Sequence, residues 1–552
     1  MSRQSSVISR RSTLGTRLAT GHWRLTTAAL VLVFVSAAPR AASAEITEGR
    51  RLAAVYDQIL AAHFDQADRQ LQEACPPAPK EACQALRVVS VWWQILLNPQ
   101  SRRLDDELNE RAGAAIAAAE AWTTREPQRA EAWFYLAGSY APLVQWRVLR
   151  GQRLTAAREG NRIRAALERA LQLDPTLNDA YFGIGLYHYY ADVAPAAAKI
   201  LRFLLLLPGG DRVEGLREML RAREHGELLT GEADYQLHVL YLWYEHNPTE
   251  ALDLLLSLEK RYPTNPIFLE RIAEVEDTYF HDQPASAARW RELADRAHAG
   301  RVSAVPATEA RARLGLARSL DAMYETDRAI DELRDALKIL AGPDQEPLDG
   351  AQAQLQIGHA YDRLGARAPA VAAYTKAAAL APADATEIRE QARVGLRQAP
   401  NAQAAEAYRL SLEGWRALER RDLVQAEASL GRAVQLAPRD VVARYRYARV
   451  LEARKDGARA RDALEQVIAA PLVPPIVLAS ALVDYAQMIE RAGDRARALA
   501  LYRDAARIVG AEPRARDLAT RAIKRLAPPG DPRSKFFDFS GTLCLTSQFS
   551  HP

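Results

Sequence analysis

The sequence predicts an all-α fold, built as a solenoid of stacked helix–turn–helix hairpins. Residues 351–382 give the clearest hairpin, with apolar side chains at three- and four-residue spacing in both halves. Gly358, Ala370 and Ala377 are small residues that fall where the two helices would touch. Pro382 then ends the second helix, because its ring cannot continue one. A single hairpin buries too little surface to be stable, so we expect it to stack against others like it.

The same spacing of small and apolar residues recurs further along the chain. The second-helix set Ala370, Tyr374, Ala377 and Pro382 is repeated by Ala426, Leu430, Ala433 and Pro438. Further copies begin at Ala460, which lies 34 residues after Ala426, and at Ala498. A helix–turn–helix unit of this length and pattern resembles the tetratricopeptide repeat (TPR). The resemblance implies a right-handed superhelical solenoid in which the first helix of each hairpin lines a concave surface.

The first 44 residues have the layout of a secretory signal peptide. They carry six Arg and no Asp or Glu, and an apolar run spans Leu25 to Ala38. Ala42 and Ala44 supply the small residues of a cleavage site, so we expect residues 1–44 to be removed. The run is shorter than the about 20 residues that a membrane-spanning helix needs. A retained N-terminal anchor and an Arg-rich transit peptide remain the alternatives.

The charge balance depends on that N-terminal segment. The whole chain has 73 Lys+Arg and 69 Asp+Glu, for a net charge of +4. Subtracting the six Arg of residues 1–44 leaves 67 cationic and 69 acidic side chains, a net charge of −2. A nearly neutral protein gives no indication of a nucleic-acid partner.

Changes in the repeat pattern divide the remaining chain. An insertion of about 14 residues separates the halves of the repeat that opens at Ala130. The segment 299–306 interrupts the pattern, and the Arg-rich helix 514–526 has no helix after it and is typical of a solvating cap. The predicted regions are N-terminal helical hairpins over 45–128, a divergent TPR-like lobe with inserted helices over 129–300, a TPR array with a C-terminal capping helix over 301–526, and a disordered tail over 527–552. A short docking segment is the alternative for the tail.

The stretch 178–226 departs most from the repeat. Its order of features, an aromatic helix, a leucine-rich run at 200–207 and a Gly-Asp turn, resembles the inclusion-body-clearance family of helical repeat proteins. We infer no function from that resemblance. The run at 200–207 predicts a helix buried between hairpins, and contact with a membrane surface or a partner is the alternative.

Cys75 and Cys83 flank a Pro-rich turn between two predicted helices. An exported protein meets an oxidising compartment, so we expect these cysteines to form a disulfide, the alternative being two small buried apolar residues. Cys544 in the tail is left over. Further Cys or His ligands are missing from the neighbourhood of the pair, which argues against a zinc site.

Motifs of catalysis and of cofactor binding are missing from the sequence. It has no HExxH, no G-x-S-x-G, no phosphate loop and no paired CxxC. The histidines are scattered without the partners of a triad or a metal site. We therefore expect neither an enzyme nor a bound cofactor or metal.

The resemblance to TPR proteins places candidate binding residues on the first helices. They are Phe134, Phe182, Tyr189, Tyr408, Trp415, Tyr445, Arg449 and Gln487. Aromatic and Arg side chains often anchor protein interfaces. The alternative for each aromatic ring is packing against the neighbouring repeat. Some family members hold a chaperone's C-terminal carboxylate with a Lys and an Asn. Here Leu355 and His359, or Tyr445 and Arg449, stand at those places, which argues against that class of partner.

Together these observations predict a scaffold that binds a protein or peptide in the concave groove of a solenoid in a bacterial cell envelope. A solenoid that binds glycans or lipids, and an accessory subunit of an envelope enzyme complex, are the alternatives. The oligomeric state has no signature in the sequence.

Overall fold

The computed structural model describes residues 46–193, 209–342 and 347–527. By its contacts the chain divides into Met1–Ser43 and Ala44–Pro552, and all described residues belong to the second unit. Several sequence-based predictions lie outside the described residues: the signal peptide, the leucine-rich run at 200–207, Cys544 and the tail beyond Ala527.

The three described ranges contain 24 α-helices and no strand. In chain order they are α1 Gly49–Leu60, α2 Phe64–Ala74, α3 Lys80–Leu97, α4 Asp105–Arg125, α5 Ala130–Leu149, α6 Arg153–Leu173, α7 Ala180–Val193, α8 Arg212–His225, α9 Thr230–Trp243, α10 Pro248–Arg261, α11 Pro266–Thr278, α12 Gln283–His298, α13 Val305–Ala322, α14 Thr326–Leu340, α15 Pro347–Arg363, α16 Arg367–Leu380, α17 Thr386–Arg397, α18 Ala402–Glu419, α19 Leu423–Leu436, α20 Val441–Ala453, α21 Gly457–Ile468, α22 Pro475–Arg491, α23 Arg495–Ala506 and α24 Pro513–Leu526. Each helix from α8 to α17 packs against the next, α18 packs against α15, and each helix from α18 to α24 again packs against the next. The predicted all-α repeat solenoid is confirmed.

The hairpin predicted at 351–382 is formed by α15 and α16. Ala370 and Ala377 have no exposed surface. A Cβ atom on Gly358 would lie 2.5 Å from the ring of Tyr374, and one on Gly395 of α17 would lie equally close to the same ring. The ring is therefore held between two helices that only glycine allows to come this near. Small residues in the sequence thus mark helix crossings.

Short turns join the two helices of the C-terminal hairpins. Asp422, Asp456 and Asp494 begin α19, α21 and α23, and their side chains accept hydrogen bonds from backbone N–H groups of the first turn. The residue before each Asp has a positive φ; it is glycine at Gly493 and carries a side chain at Arg421 and Lys455. The caps stop fraying where the chain reverses direction.

The helices α5 and α6 are longer than most of the others. They contain 20 and 21 residues, whereas α7 contains 14. The insertion expected between the halves of this repeat is thus built as added helical turns. Cys75 follows the last residue of α2, Cys83 lies in the first turn of α3, and the two sulfur atoms are bonded in the structure, with the Cα atoms 6.5 Å apart.

Three sets of contacts join parts of the chain that are far apart in sequence. At the N-terminus, α1 and α3 pack across the chain against α9 and α11. At the C-terminus, Arg516 of α24 forms an ion pair of 3.4 Å with Asp282, in the turn before α12. The guanidinium of Arg446 on α20 donates to the carbonyl oxygen of Tyr324, after α13. These contacts decide which parts of the inner surface remain open.

Among the described residues, none of the helices combines the length and the apolar character required to traverse a bilayer.

Candidate functional site

An open cleft lies on the first helices of the last two hairpins. It has a volume of about 520 Å³ and is lined by Glu452, Gln487, Glu490 and Arg491. Glu452 projects from α20, and the other three project from the last turns of α22. Because α20 and α22 are equivalent helices of neighbouring hairpins, they present these side chains to the same surface.

Ion pairs hold the walls of the cleft together. Arg491 pairs with Glu452 across the two helices, and Arg525 of α24 pairs with Glu490. The Glu490 carboxylate also accepts a hydrogen bond of 3.0 Å from the hydroxyl of Tyr502. The guanidinium of Arg525 and the Tyr502 hydroxyl lower the pKa of Glu490, which keeps that carboxylate charged. The cleft thus combines the negative charge of Glu452 and Glu490 with the guanidinium of Arg491, whose side chain is 63% exposed.

A second polar cluster lies one helical turn away, around Asp484. Its carboxylate is 3.3 Å from the guanidinium of Arg449 and accepts a 3.1 Å hydrogen bond from the hydroxyl of Tyr445. Burial raises the pKa of Asp484 to about 6, although Arg449 opposes the shift. The Arg449 side chain remains 38% exposed, so it can reach a ligand as well as Asp484.

Arg449 and Gln487 were predicted from the sequence as binding residues, and both lie at this part of the surface. The ion pairs that Asp484, Arg491 and Arg525 form here were not predicted. A signal was present, because Arg449 and Asp484 are 35 residues apart, as are Glu490 and Arg525. That separation is close to one repeat length and places side chains on equivalent helices of neighbouring units.

Tyr408 and Trp415 on α18 are only partly exposed and have partners within the chain. The hydroxyl of Tyr408 lies 2.7 Å from the hydroxyl of Thr326. The guanidinium of Arg446 lies over the ring of Trp415, 5.5 Å from its centroid. These two aromatic residues hold the turn after α13 against α18 and α20, and their role in binding a partner stays a prediction.

Four of the predicted groove rings are buried. They are Phe134, Phe182, Tyr189 and Tyr445. Tyr189 has no exposed surface, and its hydroxyl donates to Glu245. Phe134 packs with its ring centroid 5.1 Å from that of Tyr135. In this structure these rings offer no face to a ligand, so the expectation that they line an accessible groove is corrected, and packing against neighbouring helices takes its place.

The inner surface of the earlier hairpins is occupied by the first helices of the chain. Trp93 of α3 lies 4.9 Å from the ring of Tyr235 and 6.0 Å from that of Phe268, measured between centroids. The Trp93 indole N–H and the Tyr56 hydroxyl both donate to the buried carboxylate of Glu232, over 3.2 and 3.1 Å. Burial raises the pKa of Glu232.

Hydrogen bonds from side chains to backbone carbonyl oxygens also hold α1 on that surface. The Asn265 side chain donates to the carbonyl oxygen of Leu60, and the Thr264 hydroxyl donates to that of Ala61, each over 2.7 Å. The Ser303 hydroxyl donates to the carbonyl oxygen of Ala62 over 2.9 Å. The end of α1 is therefore fixed to the turns before α11 and α13, and a ligand would have to displace it.

Metal-binding chemistry is not indicated within residues 46–193, 209–342 and 347–527. No group of three or more His, Cys, Asp or Glu side chains in these ranges is arranged to hold an ion.

Comparisons with known proteins agree with the repeat. A family model for the tetratricopeptide repeat matches residues 417–471, which run from the end of α18 through α21. No curated protein sequence matches the chain.

Solved structures with similar helical arrangements include a TPR protein from Parabacteroides merdae, which is 14% identical with a TM-score of 0.26 over 54% of this chain and 99% of that one. The TPR2AB domain of yeast Sti1 in its complex with pHSP90 is 17% identical, with a TM-score of 0.19 over 54% of this chain and 96% of that one. Human IFIT1, solved as a dimer with PPP-AAAA, is 14% identical, with a TM-score of 0.26 over 71% of this chain and 81% of that one. Scores this low support no inference about ligands. The family match identifies residues 417–471 as tetratricopeptide repeat, and helical hairpins recur along the rest of the described chain.

Proposed function

We propose that this protein is an exported scaffold of the cell envelope and that it captures a partner protein through an extended peptide segment bound in the cleft between α20 and α22. The TPR fold suggests a protein-interaction scaffold. The observation that supports the location is that this cleft is open, whereas α1 and α3 cover the equivalent surface of the earlier hairpins.

The side chains of the cleft match the chemistry of a peptide. The Gln487 amide can donate to and accept from a peptide group, in the way that backbone amides pair with each other. Arg491 and Arg449 offer guanidinium groups to an acidic side chain or a terminal carboxylate. Glu452 and Glu490 accept from a basic side chain. Because their internal ion pairs are partly exposed, exchanging them for partner groups costs little.

The proposal gives the chain no chemical step of its own. Its task is to hold a partner, with the hairpins as a rigid support and the cleft side chains as the recognising groups. The export part of the proposal rests on the signal-like residues 1–44 and on the cysteine pair of the first hairpins.

Affinity capture from an envelope extract, followed by mass spectrometry, tests the cleft. Arg449→Ala combined with Gln487→Ala should lose the partners that the parent chain retains, by about tenfold or more. The matched control is Arg420→Ala combined with Gln435→Ala, which changes the same residue types at exposed positions of α18–α19. Unchanged capture by a folded cleft variant would contradict the proposal.

Export has a separate test. N-terminal sequencing of the protein recovered from its own cells should begin at Glu45. Recovery of a chain that starts before residue 40 would contradict cleavage.

A further inference from the structure

Exposed apolar side chains collect along one edge of the earlier hairpins. Val148 and Leu149 end α5, Leu154 lies in the first turn of α6, Val213 begins α8, Trp243 ends α9, and Tyr279 follows α11. Val148, Leu154, Val213 and Trp243 each expose more than half of their surface, at 57, 60, 68 and 61%. Aromatic and branched side chains exposed to this extent cost free energy in water unless a partner covers them.

The topology places these residues on the same edge. Consecutive helices from α5 to α12 run antiparallel and pack in order, so the ends of α5, α7, α9 and α11 point the same way. Contacts near the ends of α7 and α9 and the start of α8 confirm the alignment of these three helices. The rings of Tyr190 and Tyr244 lie 5.7 Å apart, and Arg212 at the start of α8 pairs with Glu245 after α9. We call this surface the apolar edge.

The α5–α6 tip lies beside the turn that leads into α4. The guanidinium of Arg150 donates to the carbonyl oxygens of Pro99 and Ser101, each over 2.7 Å. The tip is basic, since residues 147–159 contain four Arg and one acidic residue, Glu159. Arg147 pairs with Glu159, and Arg150 pairs with Asp105. Arg153 and Arg158 are exposed, and neither forms an ion pair within the part of the chain that the structure describes.

We propose that the apolar edge, led by the α5–α6 tip, docks peripherally on an anionic lipid surface. Val148, Leu149 and Leu154 would enter the headgroup layer, and Arg153 and Arg158 would meet lipid phosphates. Trp243 and Tyr279 would lie at the interface, where amphipathic rings are favoured. This surface is separate from the cleft between α20 and α22, so the inference goes beyond the proposed function.

Charge and shape favour lipid over other occupants. A nucleic acid would satisfy Arg153 and Arg158 and leave Val148 and Leu154 in water. An apolar protein surface would cover the valine and leucines and leave the arginines without counter-charges. An anionic bilayer supplies phosphate and hydrocarbon at adjacent depths, so it satisfies both kinds of side chain.

Vesicle co-sedimentation tests the proposal with the compact unit Ala44–Pro552. This unit excludes the apolar run at Leu25–Ala38, which would bind lipid on its own account. We expect it to bind vesicles of phosphatidylcholine with phosphatidylglycerol and to bind pure phosphatidylcholine much more weakly. Binding should also fall as salt is added, because the arginines act through screened charge.

Two variants separate the apolar and the basic contributions. Val148→Ser with Leu154→Ser should lower the partition coefficient on anionic vesicles about tenfold or more. Arg153→Gln with Arg158→Gln should lower it to a similar extent. The matched controls are Val424→Ser with Leu472→Ser, which are 73 and 86% exposed, and Arg420→Gln with Arg439→Gln, all outside the apolar edge. All four substituted pairs are exposed, so folding is expected to be unaffected.

Three outcomes would overturn the proposal. One is the absence of binding to anionic vesicles. Another is equal binding by the edge variants and their controls, which would assign lipid contact to another part of the chain. A third is binding of a single-stranded oligonucleotide that depends on Arg153 and Arg158 but not on Val148 and Leu154.

Discussion

The two halves of this solenoid use the same hairpin and differ in what lies on the inner surface. In the first half, α1 and α3 cover α9 and α11, and the contact is sealed around the buried carboxylate of Glu232. In the second half, the chain returns to the turns at Asp282 and Tyr324 and leaves the cleft beside Gln487 open. A repeat pattern therefore predicts a concave surface, but it does not predict whether other parts of the chain cover that surface.

The polar groups of the two halves also differ in how far they are exposed to solvent. Glu232 is desolvated and meets only neutral donors, so it serves packing. The carboxylates of the cleft pair with guanidinium groups that are more than half exposed at Arg491 and Arg525. Exposed pairs contribute little to stability and can be exchanged, which suits recognition.

The largest loss of stability should come from a substitution in the first half, where α1 and α3 cover the inner surface. Glu232→Ala removes the acceptor of the Tyr56 hydroxyl and the Trp93 indole N–H, and leaves both buried without a partner. We expect the free energy of unfolding to fall by about 2–5 kcal/mol. Urea unfolding of the unit 44–552 would measure it, and hydrogen exchange should show α1 opening first.

The control for that change is Glu232→Gln, which keeps an acceptor and removes the charge. Because burial raises the pKa of Glu232, its contribution to stability is present below the ordinary carboxyl pKa and is lost as the pH rises. The glutamine variant should lack this loss. Equal stability of the alanine variant and the parent would show that α1 and α3 do not depend on this contact.

The free energy of unfolding should depend on pH through Asp484, which lies in the second half. Its pKa lies at about 6 instead of 3.8, so the folded state loses stability as the pH rises across that interval, by up to about 3 kcal/mol. Asp484→Asn should remove this decline. Arg449→Gln should extend it to higher pH, because Arg449 favours the charged carboxylate. Urea midpoints measured from pH 4 to 8 would test both, and parallel curves for the three proteins would contradict the assignment.

The next largest loss of stability should come from a substitution where α7 and α8 cross. A Cβ atom on Gly185 of α7 would lie 2.6 Å from the carbonyl oxygen of Gly215 on α8, so the two backbones touch. Gly185→Ala should force the helices apart and cost about 1–3 kcal/mol.

Gly113 of α4 is the matched control for Gly185. A Cβ atom there meets nothing within 4 Å, so Gly113→Ala should stabilise α4 by about 0.5–1 kcal/mol. Thermal melts of the two variants should therefore shift in opposite directions. Equal shifts would indicate that α7 and α8 cross less closely than the structure shows.

The smallest stability effect should come from the open cleft itself. Arg491→Ala removes an exposed ion pair with Glu452 and should change the free energy of unfolding by less than about 1 kcal/mol. If the cleft binds a partner, the same variant should weaken capture several-fold. A large loss of stability would show that the ion pair supports the fold and that Arg491 is not one of the side chains that bind the partner.

Much of the fold was predictable because its signals are local. The small residues Gly358, Ala370 and Ala377 lie within one hairpin, and the structure places Gly358 and Ala370 at a close crossing. The Asp caps of the turns lie one residue before the helices that they start. The crossing of Gly185 and Gly215 was not predicted, because the two glycines are separated by a stretch that breaks the repeat pattern.

The candidate site was predictable only in part. Arg449 and Gln487 follow from their positions in the repeat, and Asp484 could have followed from its distance of one repeat length. Tyr189 and Phe182 occupy equivalent positions, yet they are buried. Net charge was also a poor guide, since a nearly neutral chain concentrates six Arg between residues 147 and 164.

The amino-acid pattern alone predicts the hairpin and its length, because both depend on contacts between residues less than one repeat apart. The first helices as the inner layer follow from the resemblance to TPR proteins. Which part of the inner surface is free depends on contacts that form only in the folded chain. Trp93 and Glu232 are 139 residues apart and Arg516 and Asp282 are 234 apart, and neither pair is marked by any periodicity. Such contacts depend on the accumulated curvature of many hairpins, which no single repeat encodes.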